Sequence, residues 1–407
     1  MKKVLIYLIF ILSSILISSC IEPVEFSAIE INSNLVVNAR ITNEFKFHTI
    51  ELSRTIPVDS SNVSPERNAT VSILDESGQI YSFEESSPGI YNSINEFAAE
   101  ANKTYTLNIE TSDGRKYLSS AETLPSTNAS IGDIRTSVEN NDITGIPELI
   151  IKVNSNISGA EGNYYKYEYD ETYKVKTPIW STKKLLIISD TPPYQFQLVD
   201  KTTEEDGIGF CYGNQKSKNI LVTETQSLAQ DQVIGFPIRQ IPLDNYIIGI
   251  RYSILVKQYV INENAYNFFS LLETFSNPDD IFSQTQVGNL TSNIKSTDQP
   301  YKDKVIGFFE VSSLSTKRIF LNRNEITDNI LYTNYRSLLG CIERVNPDII
   351  EPSGNSPLLV RLQTGWIYQS PPDMPIIPPN NLYQLVRKQC GDCSHLGPVN
   401  PPEFWIE

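Results

Sequence analysis

Thr104-Tyr-Thr-Leu-Asn-Ile-Glu110, a turn at Ser112-Asp-Gly114, then Lys116-Tyr-Leu-Ser-Ser-Ala121: side chains alternate between apolar and polar, the chain reverses at a glycine, and the alternation resumes. Period-two alternation puts one set of side chains on each face of a strand, so Tyr105 and Leu107 are expected to face a core. A glycine at the reversal supplies the positive φ that a tight hairpin needs. The same pattern recurs around this unit. Leu35 to Thr42, Phe47 to Ser53, Ala69 to Leu74, Gln79 to Phe83 and Gly89 to Ser93 each read as a short strand, with Asp75-Glu-Ser-Gly78 as a second hairpin turn. Seven short strands within residues 34–125 predict a β-sandwich of immunoglobulin or transthyretin type.

Before the sandwich lies a different kind of segment. Lys2 and Lys3 make a positive start, Val4 to Ile17 is almost wholly apolar, and Ile17-Ser-Ser-Cys20 closes it with two small residues before a cysteine. The apolar run is shorter than the roughly 20 residues of a spanning helix, and small residues instead of a basic stop follow it. This order predicts a lipoprotein signal peptide over residues 1–19, cleavage before Cys20, and acylation of that cysteine. Residues 20–33 then form a lipidated tether. Stable anchoring takes more than one acyl chain, which a multiply acylated cysteine provides. Glu22 and Glu25 add acidic residues just after the anchor, a feature of lipoproteins sent to the cell surface in Bacteroidetes-type outer membranes.

The chain of 407 residues carries a formal charge of -15. Such a surface repels nucleic acid and anionic headgroups, so membrane contact is expected through the lipid alone. The 21 tyrosines and 17 phenylalanines, with 24 prolines against 19 glycines, suit many short strands joined by polar turns. Residues 125–130 read as a linker, and residues 131–407 as a larger β-rich domain. Its strand candidates are Leu149 to Val153, Tyr164 to Val175, Lys184 to Ser189, Asn219 to Thr223, Ile248 to Ile261, Val305 to Ser313 and Thr316 to Leu321. One helix interrupts them: Asn262-Glu-Asn-Ala265 can cap it, and Tyr266, Phe269, Leu272 and Phe275 recur on one face before Asn277-Pro278. That face is wide enough to cover a sheet.

Setting aside Cys20, four cysteines remain: Cys211, Cys341, Cys390 and Cys393. An even number in an oxidising compartment points to two disulfides, with three pairings open. Zinc is the rival, because Cys390-Gly-Asp-Cys393 has knuckle spacing and His395 follows. It would need a distant fourth ligand, so no metal and no cofactor is expected. A redox CxxC should open a helix in a βαβ unit, whereas this one lies in coil near the terminus.

The features, taken in order, resemble the uncharacterised Bacteroidetes outer-membrane lipoproteins grouped as domain of unknown function 4249. They are the lipobox, the Leu-Val-Val-x-x-x-Ile opening from Leu35 to Ile41, the helix Asn264-Ala-Tyr-Asn-Phe-Phe, and Val287-Gly-Asn-Leu290. Val305-Ile-Gly-Phe-Phe309 leading to Arg318-Ile-Phe320 follows, then Cys390-Gly-Asp-Cys393 closing on Pro402-Glu-Phe-Trp405. The resemblance implies accessory lipoproteins whose genes lie beside TonB-dependent outer-membrane transporters, and it brings no catalytic residues. A barrel of that kind is therefore the expected partner, with the small ligand unspecified.

Signals for catalysis are weak. Two histidines, His48 and His395, leave little material for a Ser-His-acid triad, and no G-x-S-x-G elbow is present. Ser181-Thr-Lys-Lys184 fits S-x-x-K, but that chemistry needs the serine to open a helix, and a strand is predicted here. Glu204, Glu205 and Asp206 read as a solvated loop, since adjacent acids do not face one another across a sugar. Two stretches remain as candidate contact surfaces. Tyr165, Tyr167 and Tyr169 share one face of a strand, with Lys166, Glu168 and Asp170 on the other. Tyrosine rows bind partners or sugars, and they equally build a core wall. Met374, Ile376 and Ile377 lie in the proline-rich run Ser370 to Asn381, read as a strap over the domain or a docking loop. The expectation is a non-enzymatic, lipid-anchored protein at the outer membrane facing the exterior, with a free-standing glycan- or peptide-binding protein or adhesin as the alternative.

Overall fold

The computed structural model describes residues 33–56, 64–126, 129–157, 159, 162–203, 209–276, 291–300, 303–327, 341–371 and 381–407. Cys20, Glu22, Glu25, the acidic run 204–206, the Val287–Leu290 motif and the proline-rich Met374, Ile376 and Ile377 lie outside the described residues. The protein is mainly β, as the sequence predicts. Its first part contains β1 (Leu35–Thr42), β2 (Thr49–Arg54), β3 (Ser64–Pro65), β4 (Thr70–Asp75), β5 (Ile80–Ser87), β6 (Ile90–Ser93), β7 (Thr104–Glu110), β8 (Lys116–Ser119) and β9 (Glu122–Thr123). The second contains β10 (Ile131–Asn140), β11 (Pro147–Ser155), β12 (Tyr164–Lys176), β13 (Lys183–Ser189), β14 (Gln195–Asp200), β15 (Phe210–Lys216), β16 (Leu221–Glu224), β17 (Phe236–Pro242) and β18 (Arg251–Ile261). After the helix Glu263–Ser276 come β19 (Ile294–Ser296), β20 (Val305–Asn322), β21 (Trp366–Ser370) and β22 (Gln384–Arg387).

Alternation builds the first core as expected. Leu35, Val37, Ala39 and Ile41 from β1 meet Tyr105, Leu107 and Ile109 from β7, together with Tyr91 and Tyr117. Strand order through this part is β1-β2-β6-β5-β4-β7-β8. Two pieces of this core come from far along the chain, inside the segment that the sequence assigns to the second domain. Ile294 in β19, paired on β8, and Val305, Phe309 and Val311 in β20 complete it.

β20 is where the two halves join. The sequence suggests two strands, Val305 to Ser313 and Thr316 to Leu321; the structure has one of 18 residues. Leu314 and Ser315 between the two expected strands are extended and paired with Tyr259 and Gln258. Its first part runs parallel to β1, from Leu35↔Val305 to Thr42↔Ser312. The rest runs antiparallel to β18, from Val260↔Ser313 to Arg251↔Asn322. β18 pairs β12, and β12 pairs β15 and β16. Among the described residues this makes one sheet of 15 strands through both halves.

The two faces of that sheet are covered differently. On one, β20 sends Phe309 and Val311 into the first core, while Ile319 and Leu321 pack on the second. The second core lies under a three-stranded sheet, β10-β11-β17, whose Leu149, Ile151, Val153, Ile238 and Ile241 meet Tyr252, Ile254 and Val256 of β18. On the other face lies the helix Glu263–Ser276. Asn262 caps it, its side-chain oxygen accepting from the Ala265 amide at 2.9 Å. Ala265 and Phe268 are buried, and Phe268 packs 5.3 Å from the Phe308 ring. The helix therefore covers a sheet, as its apolar face requires. Farther along the same face the C-terminal residues close down: Trp405 meets Tyr212 and Phe320 edge-on, and Arg318 stacks on Phe404 at 3.6 Å.

Of the three pairings open from sequence, the structure has Cys211–Cys393 and Cys341–Cys390. The CxxC motif is thus divided between two bridges, and Ile179 donates its amide to the Cys390 carbonyl at 2.9 Å. These links tie the C-terminal segment to β15 and to the chain leaving β12.

Two substitutions test this frame. Gly307 sits at φ +127°, and an added Cβ would meet the Val37 carbonyl oxygen of β1 at 1.8 Å. Gly307→Ala is expected to cost about 2–4 kcal/mol, combining overpacking with a positive φ on a non-glycine residue, read as a lowered urea midpoint. Cys211→Ser with Cys393→Ser opens a bridge spanning 182 residues and is expected to cost about 2–5 kcal/mol, with earlier proteolysis after β22 than at β1.

Candidate functional site

The tyrosine row is not a surface. Tyr165 and Tyr167 are fully buried and Tyr169 is 7% exposed, which overturns their assignment as a partner or ligand face. The β10-β11-β17 sheet covers them, and Phe236 of β17 stacks on Tyr167 at 5.2 Å. Two of their hydroxyls are taken up inside: Tyr165 donates to Asp231 at 2.7 Å and Tyr167 to the Gln258 side-chain oxygen at 3.0 Å. Buried hydroxyls need such acceptors, so the row belongs to the core.

The opposite face of β12, where alternation places Lys166 and Glu168, holds a cluster that no single motif announces. Lys166 is 3% exposed and forms a close ion pair with Glu310 of β20, itself 2% exposed. Arg40 of β1 reaches across, gripping Glu168 with two hydrogen bonds of 2.6 and 3.1 Å. Its Nε lies 3.0 Å from Glu310 Oε1, close enough for an ion pair though outside hydrogen-bond alignment. Ser312 donates to Glu310 Oε1 at 2.8 Å and Tyr259 to Glu168 Oε2 at 3.1 Å. The Tyr259 ring lies 4.1 Å from the Arg40 guanidinium carbon, and Phe269 of the covering helix lies 3.8 Å from the Lys166 ammonium.

Two cations and two carboxylates balance here, in a place that water does not reach freely. Burial and the adjacent Arg40 charge bring the Lys166 ammonium down to about 8. Burial pushes both carboxyls up, but the cations prevail: Arg40 and Lys166 hold Glu310 below the usual range, and Arg40 with its hydrogen bonds takes Glu168 down to about 2. The members come from β1, β12, β18 and β20, so the cluster pins both halves at the strand they share. Arg40 and Glu310, register partners across β1 and β20, escaped the sequence reading. The legible hint was an acid inside the apolar run Phe308-Phe309-Glu310-Val311.

An open concavity lies elsewhere, in the C-terminal half. The β13-β14 hairpin leaves the main sheet between β12 and β15 and leans on β21, leaving a cleft of about 360 Å³. Trp180, Lys184, Leu186, Ile187 and Lys201 line the hairpin side; Trp366, Ile367, Tyr368, Asp392 and Val399 line the other. Lys201 sits 3.8 Å over the Trp180 ring, whose carbons approach Gly209 so closely that a Cβ there would meet them at 3.0 Å. Lys183 also lines the cleft and pairs with Asp200 at 2.6 Å. Asp392 accepts from the Ser394 amide at 2.8 Å. Of the S-x-x-K residues, Ser181 accepts from the Lys183 amide at 3.2 Å and precedes a strand, which is the wrong frame for a lysine-activated serine. Of the two histidines, His48 is buried in the first half; its Nε2 donates to the Phe97 carbonyl at 2.9 Å, and burial lowers it to about 4. Among the described residues, no group of three or more His, Cys, Asp or Glu is placed to hold a metal ion.

Glu310→Gln leaves two cations facing one carboxylate in the interior and is expected to cost about 3–5 kcal/mol. Lys166→Met combined with Glu310→Leu removes a balanced pair and should recover most of that loss in urea unfolding. Acid has a defined effect. His48 and Glu168 both have depressed folded pKa values, so the unfolded chain binds more protons and stability is lost as the pH falls. The His48 contribution is lost between about 6.5 and 4, and that of Glu168 between about 4.5 and 2. His48→Gln should flatten only the upper part of the midpoint-against-pH curve.

Comparison with known proteins adds a family and little else. No curated protein matches the chain. Among solved structures, a DUF4785 family protein from Legionella pneumophila is 9% identical, with 56% of this chain and 52% of that chain covered at a TM-score of 0.18. The match thus spans about half of that protein's length. The family model described as domain of unknown function (DUF4249) matches residues 21–318, from just after Cys20 through most of β20. On that match the chain belongs to the DUF4249 family.

Proposed function

We propose that this protein is a lipoprotein of the outer membrane, acylated at Cys20 and facing the cell exterior. There it serves as a non-enzymatic, ligand-capturing accessory subunit of a TonB-dependent transporter. The observation that carries the reading is the ordered lipobox, from Lys2 and Lys3 through the apolar run to Ile17-Ser-Ser-Cys20. Two disulfides fit a compartment outside the cytoplasm. Among the described residues no helix is long and apolar enough to cross a membrane, and an acyl anchor supplies attachment without one.

The capturing role rests on the cleft between the hairpin and β21, because a subunit that hands material to a barrel needs a concave site of its own. A free-standing surface protein binding glycan or peptide is the second reading, and the same cleft would serve it.

The deciding measurement is extraction of the tagged protein from outer membranes in several mild detergents, with mass spectrometry of whatever co-purifies. A stoichiometric transporter barrel is the expected result. Recovery of the lipoprotein alone from every detergent would reject the accessory role and favour the free-standing one. Cys20→Ala should move the protein out of the membrane fraction; if it stays there, the anchor assignment is wrong.

A further inference from the structure

Consecutive residues of two strands line the hairpin cleft: Lys183 to Ile187 of β13 and, across from them, Trp366 to Tyr368 of β21. Neighbouring residues of a strand point to opposite faces, so a surface that touches all of them runs along the strand's edge. Among the described residues, none from β14 or β22 shares that lining. The cleft therefore follows the outer edges of β13 and β21, which each strand turns away from its own partner. Pairing in β13 and β14 keeps one register from Lys183↔Asp200 to Ile187↔Phe196. The adjoining pair is hydrogen-bonded, the Lys201 amide donating to the Thr182 carbonyl at 2.8 Å. Bonded and non-bonded positions alternate along an antiparallel pair. Lys184 and Leu186 consequently bond to β14, while Lys183, Leu185 and Ile187 turn their backbone groups outward. Lys183 agrees with this, its amide donating to the Ser181 hydroxyl at 3.2 Å. Leu185 and Ile187 have no backbone partner on that side among the described residues.

The same reasoning applies to β21. The Lys388 amide donates to the Gly365 carbonyl at 2.8 Å, and Leu385, opposite Tyr368, exchanges both its backbone bonds with Val345. Trp366 and Tyr368 therefore also turn their backbone groups away from their partner strand. Folds usually blunt a free edge with charge, a bulge or a cover, because it recruits other strands. Here the edge of β13 is sunk in a concavity instead, with room beside it and a second strand as the far wall. We infer that the cleft binds a peptide in extended conformation, which adds to β13 as a third strand of its hairpin. The outward groups of Leu185 and Ile187 recur every two residues, about 7 Å apart, which is the repeat of an extended backbone. Main-chain bonds of this kind supply affinity, and alternate side chains supply specificity. Leu185 packs with Trp366 and Tyr368, so the peptide's side chains on that face meet an aromatic wall and are apolar. This rests on the ligand-capturing part of the proposed function and names its ligand class.

The test passes a tryptic digest of casein over the full acylated chain, immobilised in detergent micelles, with cellobiose as the non-peptide probe. Retained peptides are resynthesised and titrated by calorimetry. At least one is expected to bind, and residue-resolved hydrogen exchange should then slow at the Leu185 and Ile187 amides, which exchange fast in the free protein. Ile187→Pro removes an outward N–H that β14 does not use, a place where an edge strand tolerates proline. The hairpin should keep its fold, checked by circular dichroism, and bind the peptide about tenfold more weakly, in line with a carbonyl left without its donor. Ile187→Thr keeps the N–H and should bind as the parent does. If the proline variant does not fold, protection of the two amides decides the matter. Retention of no peptide, binding of cellobiose in place of peptide, or peptide binding that leaves both amides fast would overturn the inference. So would a folded Ile187→Pro variant with unchanged affinity. The experiment needs no barrel, so a lone lipoprotein in membrane extracts leaves the inference standing. A barrel partner with no peptide binding removes the inference and leaves the accessory role.

Discussion

One strand has to satisfy two partners at once. β20 must lie parallel to β1 over its first part and antiparallel to β18 over the rest, with no break that would let the halves move as separate bodies. Parallel pairing of strands so far apart in sequence is entropically late, since the chain closes a loop of most of its own length first. The first sandwich consequently waits for its last members: Val305, Phe309 and Val311 enter its core from beyond the helix. Gly307 shows how tight the junction is, because the β1 backbone passes where any side chain would stand.

The charge cluster fits this constraint better than it fits a simple account of stability. Burying the Lys166–Glu310 pair, with Arg40 and Glu168 half-buried beside it, is expensive, and well-packed apolar residues of similar volume often serve as well or better. What charges supply is register. Arg40 and Glu310 face each other across the parallel pair, and slipping β20 by one residue would turn Glu310 into the apolar core with Phe309 and Val311. Lys166 from β12 and Tyr259 from β18 extend that requirement to two more strands. Phe269 ties the covering helix to the same point. The cluster's members act together through geometry, so its contribution is not a sum of four ion pairs.

The sequence made much of this visible, and the gaps have physical causes. Period-two alternation located β1 and β7 to the residue, and helical spacing with an Asn cap located Glu263–Ser276. Both are local signals. β10 went unread because it lies at an edge of its small sheet and most of its side chains are half-exposed or exposed, which leaves little alternation to see. The tyrosine row stayed open between core and surface for another reason. Alternation divides a strand into two faces but is silent on what covers each, and here a second sheet covers the tyrosines while a helix covers part of the charged side. Cysteine counting gave two bridges, yet the pairing depended on Cys390 and Cys393 diverging to Cys341 and Cys211, which only the path of the chain decides.

The same path explains why a cleft forms where it does. A hairpin inserted between β12 and β15 has no neighbour in the main sheet, and its exposed apolar residues would be a liability if it stood alone. The C-terminal segment supplies a neighbour by a constrained route. Cys393 is bonded to Cys211 in β15, the Cys390 carbonyl takes the Ile179 amide, and Gly397 lies so close to the Tyr212 carbonyl that a Cβ would reach it at 2.0 Å. Those three contacts hold the base of the segment against the base of the hairpin. Above them β21 and the β13 edge diverge enough to leave room between Trp180 and Trp366. The disulfides are thus part of the cleft's geometry as well as of the fold's stability, and loosening them should widen the site before it unfolds the sheet.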